Sequence, residues 1–180
     1  MSICCTGRDG ETASVPRTAL SLPKARIAAT RLLSATVVLG DPESCLAHVC
    51  LGNALVYQAQ YYDALIHLDQ ARLLSHDSKH CLGFWAYACA LAGLRERAEE
   101  VLSKLTSLPR HEYVPSYFVG LIHLGLGQVD LAIDWFTRAC DERTHWVIFL
   151  NSDPAFDCMS KHSRFKDMVE RIELRTKGKV

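Results

Sequence analysis

The sequence matches itself at a step of 34 residues, sustained over three units. Gly52, Ala86 and Gly120 stand one step apart, and so do Ala64, Ala98 and Ala132. Leu68, Leu102 and Phe136 keep the same register, as do Ala71, Leu105 and Ala139. Small residues recurring where two helices must touch, with large apolar ones between them, follow the rule of a helical repeat. A chain built that way is expected to hold another polypeptide and not to perform chemistry.

The bulk numbers agree with an ordinary globular chain. At 180 residues it is long enough to bury a real core. Its 20 basic and 20 acidic residues cancel, leaving no global field to draw in nucleic acid. No apolar run approaches the ~18–20 residues of a membrane span. Met1 to Cys5 lead into Gly7, Arg8, Asp9, Gly10 and Glu11, which is no secretory signal. Cys45, Cys50, Cys81, Cys89 and Cys140 fall in segments of helical pattern, so the thiols are expected reduced and the location cytoplasmic. From Thr12 to Gly40 there is no Asp or Glu, while Arg17, Lys24, Arg26 and Arg31 stand among small residues, a composition that resembles an organelle presequence. Asp9 and Glu11 argue against it and favour a loose arm followed by a worn helix.

Along the chain, residues 1–23 carry Gly7, Gly10, Pro16 and Pro23 with little periodicity and are expected as a flexible arm. Residues 24–44 hold a degenerate first repeat helix, whose Ala28, Leu32 and Ala35 reproduce the spacing of Ala64, Leu68 and Ala71. Three units follow at 45–78, 79–112 and 113–146, each of two helices. Gly93 and Gly127 mark the turn inside the second and third units, where the first has Ala59. Pro115 is placed in the first turn of a helix. After Trp146 the period stops. Residues 147–174 are predicted to cap the stack, with a last helix opening at Ser163 and burying Phe165, Met168, Val169 and Ile172, and 175–180 form a tail. The expected fold is all-α, a right-handed superhelix of helix hairpins with a C-terminal capping helix.

These units resemble the tetratricopeptide repeat. The family pairs a bulky with a small residue in the first helix, here Leu51-Gly52, Trp85-Ala86 and Val119-Gly120. It then spaces Ala, a large apolar residue and Ala, here Ala64-Leu68-Ala71, Ala98-Leu102-Leu105 and Ala132-Phe136-Ala139. Leu105 departs from the last Ala, and the usual Pro is missing from its register in all three units, with Pro109 one residue short of it. A narrower string runs through Tyr113-Val114-Pro115-Ser116-Tyr117, Gly125-Leu126-Gly127, Asp141-Glu142-Arg143, Asp153-Pro154-Ala155-Phe156-Asp157 and Ser163-Arg164-Phe165. It resembles the tetratricopeptide segment of bacterial winged-helix regulators, nucleotide cyclases and Ser/Thr kinases, which implies a sensor or scaffold segment.

The resemblance implies a concave groove lined by the first helices. Its binding positions would be Val49, Asn53, Tyr57, His80, Tyr87, Tyr117, Leu121 and Leu124, with Leu46, Val56, Gly83, Phe84, Leu91 and Val114 beside them. Family members that clamp acidic chaperone tails use several Lys and Arg there, and these positions hold none. The groove therefore suits an apolar or amphipathic peptide. Phe84 is expected to pack between helices; Tyr87 and Tyr117 fit either packing or ligand contact; and the arm at 1–23 could fold back into the groove. The expected function is a non-catalytic protein-interaction module, the alternative a regulatory segment of a transcription or signalling protein that self-associates.

No catalytic residues, cofactor or metal are expected. His76, Asp77, His80 and Cys81 straddle an inter-unit turn without a second close-spaced ligand pair. His111, His123 and His145 with Cys89 or Cys140 offer a nucleophile and a base, the ingredients of a third and weaker reading as an enzyme, but no spacing brings them together. Asp153-Pro154 and Asp157 read as turn and helix-start residues. There is no GxGxxG, Walker loop or GxSxG.

Overall fold

The computed structural model of the chain describes residues 4–6, 12–14, 24–107, 113, 115–151, 153–176 and 178. Pro109, His111, Val114 and most of the expected arm lie outside the described residues. Within the arm, β1 (Cys4–Thr6) and β2 (Thr12–Ser14) pair antiparallel, with Cys5 opposite Ala13. Among the described residues everything else with regular structure is helical: α1 (Lys24–Gly40), α2 (Cys45–Tyr57), α3 (Tyr61–Leu74), α4 (Lys79–Leu91), α5 (Arg95–Thr106), α6 (Ser116–Gly125), α7 (Val129–Asp141) and α8 (Ser163–Thr176). Two 3₁₀ helices, His145–Asn151 and Pro154–Met159, lie between α7 and α8.

The 34-residue step is legible in how the helices begin and end. α2 and α4 start behind Ser44 and Ser78, whose hydroxyls accept from the N–H groups of Ala47 and Cys81, each at 3.4 Å. Each first helix stops in the same turn. Ala59, Gly93 and Gly127 take φ of 57°, 82° and 77°. The next residue's N–H then reaches back over the last helical turn, from Gln60 to the Leu55 carbonyl, from Leu94 to Cys89 and from Gln128 to His123, at 3.0, 2.9 and 2.9 Å. That is the closure of a Schellman motif, and it makes three hairpins of one geometry, α2–α3, α4–α5 and α6–α7. Ala59 carries the left-handed conformation without the freedom of glycine. α6 differs from expectation at its start: Pro115 sits just before the first helical residue, its carbonyl accepting from Phe118 N–H at 2.9 Å, so its missing N–H is needed by nothing.

Packing inside the hairpins follows the small-to-large rule. A methyl on Gly52 would come within 2.5 Å of Leu68 Cγ, and one on Gly120 within 2.7 Å of the Phe136 ring. Leu68, Phe136, Ala64, Ala98 and Ala132 are fully buried. The middle hairpin carries Ala86 at this step, and there Leu102 is seated less deeply than Leu68 or Phe136. Between hairpins, Gly83 lets α4 close on α6, since a methyl there would meet Phe118 Cβ at 2.5 Å. The main core runs from Leu51 and Leu55 through Tyr117, Phe118 and Phe136 to Phe156, Phe165, Met168 and Ile172. A second cluster of Leu82, Ala98, Val101, Leu105 and Ile122 fills the space between α4, α5 and α6.

The two ends of the stack are finished differently. α8 buries Phe165, Met168 and Ile172, and its Arg164 and Arg171 reach Asp134 and Asp141 of α7. α1 packs on α2 with Ala35 and Val38 but leaves Leu32, Leu33, Val37 and Leu39 exposed. Among the described residues no helix is long and apolar enough to cross a membrane.

Candidate peptide-binding surface

Helical spacing assembles the predicted positions into three stripes. Val49, Asn53 and Tyr57 recur every four residues along α2; His80, Phe84 and Tyr87 form an i, i+4, i+7 row on α4; Tyr117, Leu121 and Leu124 form the same row on α6. Their exposure differs sharply. His80 is exposed, and Val49, Asn53 and Tyr57 are half-buried. Tyr87, Tyr117, Leu121 and Leu124 are at most 9% exposed and belong to the core. Of the flanking positions, Leu46 stands 72% exposed, while Val56 and Gly83 are buried.

Part of what covers the buried positions is the chain's own segment from His145 to Met159. Trp146 stacks on Tyr117 with ring centroids 6.0 Å apart and planes at 24°. The same indole meets Phe118 at 5.2 Å and Phe84 at 5.8 Å edge-on, and His80 at 6.1 Å. Ten residues on, Phe156 sets its ring against Phe136 at 5.3 Å and Tyr117 at 6.3 Å. Leu150, Phe156 and Met159 are almost wholly buried as a result. Such edge-to-face arrays place the positive ring edge on the negative ring face, adding to the area they bury.

A carboxylate lies at the centre of this contact. Asp153 accepts a hydrogen bond from the Tyr57 hydroxyl, joining the end of α2 to a residue 96 positions later. Its other oxygen accepts from Ala155 N–H at 2.9 Å, capping the 3₁₀ helix that Pro154 opens. Burial pushes the Asp153 carboxyl above its ordinary range, although the Tyr57 hydroxyl and the Ala155 N–H both favour its charge. Tyr57, Tyr87 and Tyr117 are all shifted upward, first by burial and then by the Asp153 charge nearby. Tyrosines from three helices therefore feel the charge of one acid, which Tyr57 touches, and each is kept as a neutral phenol.

The remaining candidate groups are dispersed. His123 bonds Gln128 through Nδ1 at 2.6 Å and stacks near Trp135. His145 lies against Trp146, and burial with the neighbouring His145 lowers the pKa of His80. Cys89 is buried and its thiol is pushed up to about 12 by desolvation, so it is held protonated. Among the described residues no three His, Cys, Asp or Glu side chains gather closely enough to hold a metal ion.

Sequence reasoning picked out the helix positions but not Trp146, Asp153 or Phe156 as their partners. The available signal was the apolar content of residues 146–156 just past the repeat, together with an Asp-Pro helix start. Comparison with family models, with curated proteins and with solved structures gave no match to this chain.

Proposed function

We propose that this chain is a non-catalytic protein-interaction module, a right-handed superhelix of tetratricopeptide-like hairpins that binds an apolar or amphipathic peptide segment. The observation that carries this reading is the docking of the chain's own 145–159 segment against the row of Tyr57, Phe84 and Tyr117. A face that takes up a Trp, a Phe and an Asp from one short segment has the chemistry of a peptide site. Val49, Asn53 and His80 keep accessible surface, with His80 beside Trp146 of that segment, so a partner either extends along them or displaces the segment. The binding positions are then Val49, Asn53, Tyr57 and His80 at the accessible edge, with Tyr87, Tyr117, Leu121 and Leu124 forming the floor.

The test uses the accessible positions, because truncating Tyr87 and Tyr117 together would remove two core side chains. Random peptides displayed on phage would be selected against the full chain and the enriched ones measured by fluorescence anisotropy. Aromatic and aliphatic sequences are expected, binding about five-fold more weakly to Asn53→Ala/His80→Ala, the effect of roughly 1 kcal/mol. No enrichment over an unfolded control, or equal affinity for the variant, would sink the reading.

A second reading is self-association as a regulatory segment. The exposed row of Leu32, Leu33, Val37 and Leu39 on α1, at 50–83% exposure, favours it. Light scattering on the eluting peak separates the two: a monomer at high concentration removes the second reading and leaves the first.

A further inference from the structure

Two thiols meet across the first and second hairpins. Ser44 and Ser78 fix where α2 and α4 begin, and so place Cys45 in the first turn of one helix and Cys81 in the first turn of the other. Their sulfur atoms are 3.7 Å apart, in van der Waals contact. A disulfide needs about 2.05 Å, so closure requires the two sulfur atoms to approach by roughly 1.6 Å. Cys45 is half-buried and reachable from solvent, while Cys81 is 5% exposed behind it. The Cys45 sulfur also lies 3.5 Å from the Ala71 carbonyl at the end of α3, so three helix ends converge on the pair.

We infer that Cys45 and Cys81 form an oxidisable pair that closes to an intramolecular disulfide when the chain meets a hydroperoxide. In the first step the Cys45 sulfur attacks one oxygen of hydrogen peroxide, the O–O bond breaks, and a sulfenic acid and one water result. The Cys81 sulfur then attacks the Cys45 sulfur, the S–O bond breaks, and the hydroxyl leaves with the Cys81 proton as a second water. Two thiols lose two electrons and one peroxide becomes two waters. The pair is set for the second step, because the resolving sulfur already touches the attacking one. Burial and the neighbouring Cys81 raise the pKa of Cys45, so the first step is slow at neutral pH and quickens as pH rises. Closure ties the start of α2 covalently to the start of α4 and fixes the angle between two hairpins that otherwise meet by packing of α4 on α2 and α3. The inference is independent of what the chain binds.

The test treats the folded full chain with hydrogen peroxide, blocks remaining thiols by alkylation, and maps linked peptides by mass spectrometry. A peptide pair joined through Cys45 and Cys81 is expected, lost in Cys45→Ser and in Cys81→Ser, retained in Cys50→Ser, and reversed by dithiothreitol. The oxidised chain should also melt at a higher temperature than the reduced chain. Oxidation that yields only sulfinic acid or intermolecular links, or a link that persists in Cys45→Ser, overturns it. Should Cys81→Ser fail to fold by circular dichroism, Cys81→Ala provides the same comparison.

Discussion

The two ends of the helical stack solve one problem in opposite ways. Beyond α7 the last apolar face is closed by α8 and by the 145–159 segment, with Trp146, Leu150, Phe156 and Met159 seated against the hairpins. Before α2 a single helix is laid down, and its outer face still shows Leu32, Leu33, Val37 and Leu39 to solvent. Both ends are rich in apolar residues, so composition alone does not separate them. What differs is that the segment opened by the Asp153-Pro154 helix start lies against the hairpins, whereas among the described residues the outer face of α1 keeps its leucines and Val37 exposed. The difference teaches that a stack of like hairpins carries no instruction for its ends; each end needs its own.

That contrast can be broken or sharpened by substitution. The largest effect is expected at Trp146→Ala, about 3–5 kcal/mol of destabilisation in urea unfolding, because the indole meets two rings of α4, His80 and Phe84, and two of α6, Tyr117 and Phe118. A loss under 1 kcal/mol would mean that the segment adds little to the stack. Tyr57→Phe removes the hydroxyl that Asp153 accepts and should cost about 2 kcal/mol by the same measurement. The pH dependence of this contact has a definite sign. The folded carboxyl lies above the 3.8 of a solvated Asp, so its stabilising share is complete below that pH and is lost as pH climbs through the raised value. Relative to wild type, Asp153→Asn should therefore gain in thermal midpoint as pH rises from about 4 to about 7, and parallel curves would refute the assignment. In the middle of the stack, Ala98→Leu should overpack the second hairpin by about 1–3 kcal/mol. An unchanged melting temperature would argue against the small-to-large packing scheme. Nearer the open end, Ala59→Gly should raise stability by roughly 1 kcal/mol, since φ is 57° there and the side chain is exposed. The smallest effect belongs to Leu39→Gln, within about 0.5 kcal/mol for a residue 83% exposed. A larger loss, growing with protein concentration, would show that copies of the chain bury α1 between them.

Legibility in the sequence followed periodicity. The helices, the turns at Gly93 and Gly127 and the buried Ala64, Ala98 and Ala132 could be read because equivalent residues recur at one step. Ala59 adopts the same left-handed turn as the two glycines, since three closures of one geometry override a local preference. The contacts that shape the candidate site were not readable, because nothing periodic links Tyr57 to Asp153 across 96 residues. The apolar run Val147–Leu150 showed that the segment needs a face, but not which one. The Cys45–Cys81 contact escaped for a related reason. The two cysteines are 36 positions apart, two off the repeat, so a register comparison pairs Cys45 with Lys79 instead.

The stacking of Trp146 on Tyr117 also has an optical consequence. Rings held at fixed angles in a buried array give a near-ultraviolet circular dichroism signal that depends on their packing and not on helix content. Release of the 145–159 segment would erase much of that signal while leaving the far-ultraviolet helix spectrum in place. The chain thus carries a built-in spectroscopic gauge of whether its aromatic face is covered, readable without a label.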